Sequence, residues 1–181
     1  GKSDILVCEA CEYKDTFLDL TPDISVILNV DRDHMEYFKT LENLEASFRK
    51  FADMSTKAVI YNGDDKNTLD SIAGVNGKER ISFGTNETCN YVAKNIGFTN
   101  GAFPCYDLYI NGEFREKIEL SVPGEHNVLN SLAAIATAMY CGATIEQCKN
   151  SILTFKGAGR RFEFLGTYNG ADIVTLNGNG A

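Results

Sequence analysis

Apolar residues recur along this chain in two rhythms. Residues 4–10 (DILVCEA) and 24–30 are short, nearly unbroken apolar runs, the pattern of strands buried on both faces of a parallel sheet. Between them, 16–20 suits a short helical turn stopped by Pro22, because proline cannot continue a helix. From Thr40 the spacing lengthens. Leu41, Leu44, Phe48 and Phe51 fall on one helical face, with Glu42 and Glu45 near its start, where the helix dipole favours anions. Strands follow at 57–61 and 80–83, separated by a helix through Leu69 and Ile72. This order predicts an α/β fold with a mainly parallel β-sheet flanked by helices.

The middle of the chain changes character. Residues 91–98, 105–110 and 114–122 read as more polar strands, and Asn111-Gly112 between two of them is a type I′ hairpin signal, since both residues tolerate positive φ. A small antiparallel β subdomain over about 88–122, packed on the edge of the main domain, is the expectation. Pro123-Gly124 closes it. A helix over 127–140 shows an apolar face of Val128, Leu129, Leu132, Ile135, Ala136 and Met139, and Gly142 is placed to end it. Thr144 opens a second helix to about 153. Strands at 162–167 and 171–175, joined by Asn169-Gly170, complete a domain over 1–176, and 177–181 read as a flexible tail.

Composition narrows the function classes. With 44% hydrophobic and 23% charged residues over 181 positions, the chain has the make-up of a globular domain. A net charge of −8 argues against a nucleic-acid partner, which needs a basic face. No apolar run approaches the roughly 20 residues of a membrane span, and no secretory leader opens the chain. The six cysteines include one C-x-x-C, Cys8 and Cys11, with no second pair to answer it; reduced, mostly buried thiols in a cytoplasmic protein are expected. Both ends look cut, so a piece of a longer protein is expected.

Three groups of residues are candidates for chemistry. Glu9 and His34 each end a predicted strand, and such ends are where ligands sit in α/β sheets. A carboxylate and a neutral imidazole suit a shared magnesium ion with phosphate oxygens; the alternative is polar strand ends with Glu9 paired to Arg32. His126-Asn127-Val128-Leu129-Asn130 places two carboxamides on one helical face, where they suit either an adenine edge or helix capping. Lys156-Gly157-Ala158-Gly159-Arg160-Arg161 suits phosphate or an ordinary solvated loop. No G-x-x-x-x-G-K-[ST] phosphate loop and no G-x-S-x-G occurs.

In order, Glu9-Ala10-Cys11-Glu12, Asn29-Val30-Asp31-Arg32-Asp33-His34-Met35-Glu36, Gly124-Glu125-His126-Asn127-Val128-Leu129-Asn130 and Gly157-Ala158-Gly159-Arg160-Arg161-Phe162 resemble the motifs of the Mur ligases, which add amino acids to the peptidoglycan precursor at the expense of ATP. The resemblance runs from Asp4 to about Ile173 and implies the central ATP-binding domain, P-loop NTPase-like in fold. It implies that Glu9 and His34 hold Mg2+ near the γ-phosphate, that Asn127 and Asn130, beside His126, lie at the adenine, and that Arg161 reaches the nucleotide. The implied partners are ATP and, in a full-length enzyme, UDP-N-acetylmuramate, together with N- and C-terminal domains of the same protein. Several members carry a carbamylated lysine after the histidine motif; here Phe48 stands at that place. The family's phosphate loop is missing and residues 176–180 do not match its linker, so the segment is expected not to ligate by itself. A nucleotide-binding module without chemistry is the competing expectation.

Overall fold

A computed structural model describes residues 4–100 and 102–157, together with the strands 164–168 and 171–174. Its contacts divide the chain at Asn90 into two compact units.

The first unit is built on three parallel strands, β1 (Ile24–Ile27), β2 (Ala58–Asn62) and β3 (Glu79–Gly84), side by side in that order. β2 lies between the other two and is buried along almost its whole length, which accounts for its unbroken apolar run. Helix α1 (Met35–Phe38) follows β1, α2 (Leu41–Met54) leads to β2, and α3 (Lys66–Ile72) joins β2 to β3. Short polar side chains start the two longer helices, Thr40 accepting from the Asn43 amide and Asp65 from the Thr68 amide. Ile27, Val30, Phe38, Leu44, Ala52, Val59, Ile72 and Val75 form the core, with Leu41 and Phe48 packed against it.

One expected strand is absent. Residues 4–10 have no regular structure, and Leu6 and Val7 are 88% and 85% exposed. A strand needs a neighbour to complete its backbone ladder. β1 pairs with β2, and among the described residues no strand pairs with 4–10. β1 itself is shorter than its apolar run, stopping at Ile27; Val30 is buried beyond the ladder. The cysteine expectation is also corrected. All six thiols are free, but only Cys89 and Cys148 are buried, while Cys8, Cys11 and Cys141 are exposed.

The second unit contains an antiparallel meander, β4 (Tyr91–Thr99), β5 (Phe103–Ile110) and β6 (Glu113–Glu119). Asn111 and Gly112 turn the chain between β5 and β6 with φ of 52° and 83°, as a type I′ turn requires. Alternate residues of β5 point inward, and Tyr106 shares a 2.7 Å hydrogen bond with Ser131 of α4 (His126–Tyr140). That helix buries Val128, Leu132, Ile135 and Ala136. Gly142, at φ +94°, follows its end, and Thr144 with Gln147 forms a capping box at the start of α5 (Ile145–Thr154). β7 (Phe164–Tyr168) pairs antiparallel with β8 (Ala171–Val174). The Asn169-Gly170 turn, Arg160, Arg161 and the 177–181 tail lie outside the described residues. Among the described residues no helix is long and apolar enough to cross a membrane.

Candidate functional site

His34 stands just past β1, at the start of α1. Its φ is +55°, in the left-handed region, and its carbonyl accepts from the amides of Tyr37 and Phe38. The approach to it is folded by carboxylates: Asp31 accepts from the Arg32 amide and Asp33 from the His34 amide, each at 2.7 Å. Such local bonds from aspartate to backbone favour a tight turn over continued strand. The imidazole side chain is 31% exposed.

A strap of 3₁₀ geometry, Tyr13–Asp19, lies against the same region, with Lys14 and Asp15 at φ of 54° and 60°. Phe17 anchors it. The ring is buried, stacked on Phe51 at 4.8 Å and edge-on to Phe48 at 5.2 Å. Asp15 accepts hydrogen bonds from the Tyr37 hydroxyl and from Ser47, tying the strap to α1 and α2. The bond to Asp15, then burial and the Asp15 charge, push the Tyr37 phenol above its ordinary pKa. Tyr13 places its ring 4.6 Å from the imidazole.

The strap therefore delivers Glu12 to His34, Oε1 lying 3.7 Å from Nε2. On the other side of the ring, Nδ1 is 3.5 Å from Glu36 and 3.9 Å from Asp33. Glu12, Asp33 and His34 offer three donor atoms within 4.8 Å of one another. Two carboxylate oxygens and one imidazole nitrogen, partly open to solvent, suit a divalent ion such as Mg2+ or Mn2+ that keeps water or phosphate oxygens in its remaining positions. Donor atoms bound at about 2.1 Å stand roughly 3 to 4 Å apart, so a bound ion would draw these three groups closer together than the 4.8 Å limit within which they lie.

Glu9 is not a member of this cluster. It lies on the exposed irregular stretch and not at a strand end, and the glutamate three residues later is the one beside the imidazole. Both glutamates belong to one E-x-x-E motif. Glu12 heads the strap that turns at Lys14 and Asp15, whereas Glu9 lies on the irregular stretch before it. Phe48 supports Phe17 by edge-on packing at 5.2 Å.

In the second unit, His126 begins α4 and is exposed. Asn127 and Asn130 do share a face: the Asn130 amide donates to Asn127 Oδ1 at 3.1 Å, and Asn127 Nδ2 donates to the Pro123 carbonyl at 2.7 Å. Neither side chain caps the helix, so capping does not explain the pair. The network fixes the Asn127 carboxamide and leaves Asn130 exposed at its edge.

Comparison with known proteins adds the family. The Mur ligase middle domain matches residues 1–138. UDP-N-acetylmuramate–L-alanine ligase of Caldanaerobacter subterraneus subsp. tengcongensis is 42% identical over 176 residues, covering 96% of this chain and 38% of that protein. The protein of the same name from Clostridium acetobutylicum is 40% identical over 186 residues, with the same coverage. The chain thus spans about two fifths of the length of the curated relatives it matches. Among solved structures, UDP-N-acetylmuramate–alanine ligase from Thermotoga maritima superposes with a TM-score of 0.72 at 25% identity, over 86% of this chain and 34% of that one. MurF from Thermotoga maritima in complex with ADP gives 0.69 at 19% identity, over 89% and 37%, a likeness of fold alone. With three quarters of its length matched, the chain belongs to the Mur ligase middle domain family.

Proposed function

We propose that this chain is the central ATP-binding domain of a cytoplasmic ligase that joins L-alanine to UDP-N-acetylmuramate in peptidoglycan precursor synthesis. The observation that carries the reading is the Glu12, Asp33 and His34 cluster, a divalent-ion donor set at the end of a parallel strand of this family's fold. The names of the 36–42% identical relatives support the choice of substrates, and the ADP named with the Thermotoga maritima MurF structure supports the nucleotide.

In this reading the carboxylate of UDP-N-acetylmuramate attacks the γ-phosphorus of ATP, releasing ADP and forming an acyl phosphate. The amine of L-alanine then attacks the acyl carbon and expels phosphate. Bound Mg2+ offsets negative charge on the transferring phosphoryl group. His34 and the carboxylates of Glu12 and Asp33 would hold the ion, with the Tyr13 ring packed 4.6 Å from the imidazole. The family resemblance alone assigns Asn127 and Asn130, with His126 beside them, to the adenine and Arg161 to the nucleotide. Glu9, which the resemblance puts at the metal, is tested beside Glu12.

The complete protein that carries this segment is expected to turn over ATP to ADP and phosphate continuously only when both UDP-N-acetylmuramate and L-alanine are present, and His34→Ala is expected to lower kcat at least a hundredfold. A preference for a murein tripeptide over L-alanine would mark the recycling ligase of the same family instead. ATP-dependent thermal stabilisation without any ligation would mark a nucleotide-binding module. The 181-residue segment alone is expected to show no L-alanine-dependent ATP hydrolysis.

A further inference from the structure

The backbone that carries His34 leaves its sheet early. The last ladder residue of β1 is Ile27, yet Val30 is 1% exposed, and three side chains, from the end of β2, the N-cap of α3 and its first turn, take over where the ladder stops. Asn62 Nδ2 donates to the Leu28 carbonyl at 3.0 Å, and Asn67 Nδ2 donates to the Val30 carbonyl at 2.8 Å. Asp65 Oδ2 accepts from the Val30 amide at 3.1 Å, and the same oxygen accepts from the Thr68 amide at 2.8 Å and the Thr68 hydroxyl at 2.6 Å. Both polar groups of the Val30 backbone are therefore held by side chains 35 and 37 residues away.

Capping alone does not require this. An N-cap needs one acceptor for the third amide of its helix, and serine serves as well as aspartate. The longer aspartate reaches the third helical residue and the neighbouring strand extension with one oxygen. Three residues separate Val30 from His34, and the turn between them is closed by local bonds, the Asp31 and Asp33 carboxylates accepting from the next amide and the Asp31 carbonyl accepting from the Asp33 amide. The place of the imidazole thus depends on where Val30 is pinned.

We infer that Asp65 and Asn67 are positioning residues for His34, fixing the strand extension from which the imidazole reaches its cluster with Glu12 and Asp33. The inference rests on the metal-site reading above for its functional consequence, and on the backbone bonds alone for its structural one.

Three variants of the 181-residue chain separate this role from plain capping. Asp65→Ser keeps a cap but is too short to hold Val30 as well. Asn67→Ala removes the carbonyl tie at a helical position that alanine favours. Asp65→Asn retains the reach and serves as rescue. Two readouts apply to each: amide hydrogen exchange at Val30 and His34, and the Mn2+ concentration that half-broadens the His34 ring signals. Asp65→Ser and Asn67→Ala are expected to exchange at least tenfold faster at these amides and to need at least fivefold more Mn2+, with Asp65→Asn within twofold of the parent. Parent-like exchange in both Asp65→Ser and Asn67→Ala overturns the inference, whatever their melting temperatures. If the parent chain itself shows no Mn2+ effect at His34, the metal-site reading fails, and exchange alone decides whether the two residues position the segment.

Discussion

The Tyr37 hydroxyl donates to the Asp15 carboxylate at 2.7 Å, linking a strap with two left-handed residues to the helix that His34 begins. Glu12 rides on that strap, so the bond helps set the carboxylate beside the imidazole. The link is legible in a titration. The Tyr37 pKa is raised from 10.0, so its contribution to stability is fully present below about pH 10 and is lost as pH rises through the higher folded value. Asp15→Ala is expected to return the Tyr37 midpoint to the ordinary phenol range, followed by its ring carbon signals in NMR. An unchanged midpoint would show that Asp15 is not the cause.

Phe17 carries the packing side of the same strap. Buried between Phe48 and Phe51, it is expected to cost about 3 to 5 kcal/mol when cut to alanine, the usual range for a core aromatic. Urea unfolding of Phe17→Ala measures this. A loss below about 1 kcal/mol would mean that the strap is not anchored by the ring.

The resemblance to the Mur ligases would put a modified lysine of several members at the place of Phe48, which can be tested directly. Its edge contact with Phe17 is apolar, so Phe48→Lys is expected to lower stability by about 1 to 3 kcal/mol, the scale of one lost core side chain. Added bicarbonate, which would carbamylate a lysine in a suitable site, is expected to restore none of it. Recovery with bicarbonate would show that the site still accepts a carbamate.

Much of this fold is written in local pattern. The Leu41, Leu44, Phe48 and Phe51 spacing, with Thr40 before it, specifies α2 because packing face and cap agree. Asn111-Gly112 specifies its hairpin because few residue pairs take two positive φ values in succession. Residues 4–10 mislead for a physical reason: an apolar run records what a strand would bury and says nothing of the neighbour it needs. The candidate site was legible at His34 and not at Glu12. His34 ends an apolar run, a position that sequence can mark. Glu12 stands at the head of a strap that turns at Lys14 and Asp15, and a left-handed lysine is not signalled by its residue type.

A divalent-ion site built on His34 and Glu12 is tested by a Mn2+ titration of the chain with labelled histidine and glutamate. Mn2+ is expected to broaden the His34 ring and Glu12 carboxyl signals selectively, and this response is expected to vanish in His34→Ala, to weaken at least tenfold in Glu12→Gln, and to persist in Glu9→Gln. Broadening abolished by Glu9→Gln but not by Glu12→Gln, or no selective effect at His34, would contradict the account.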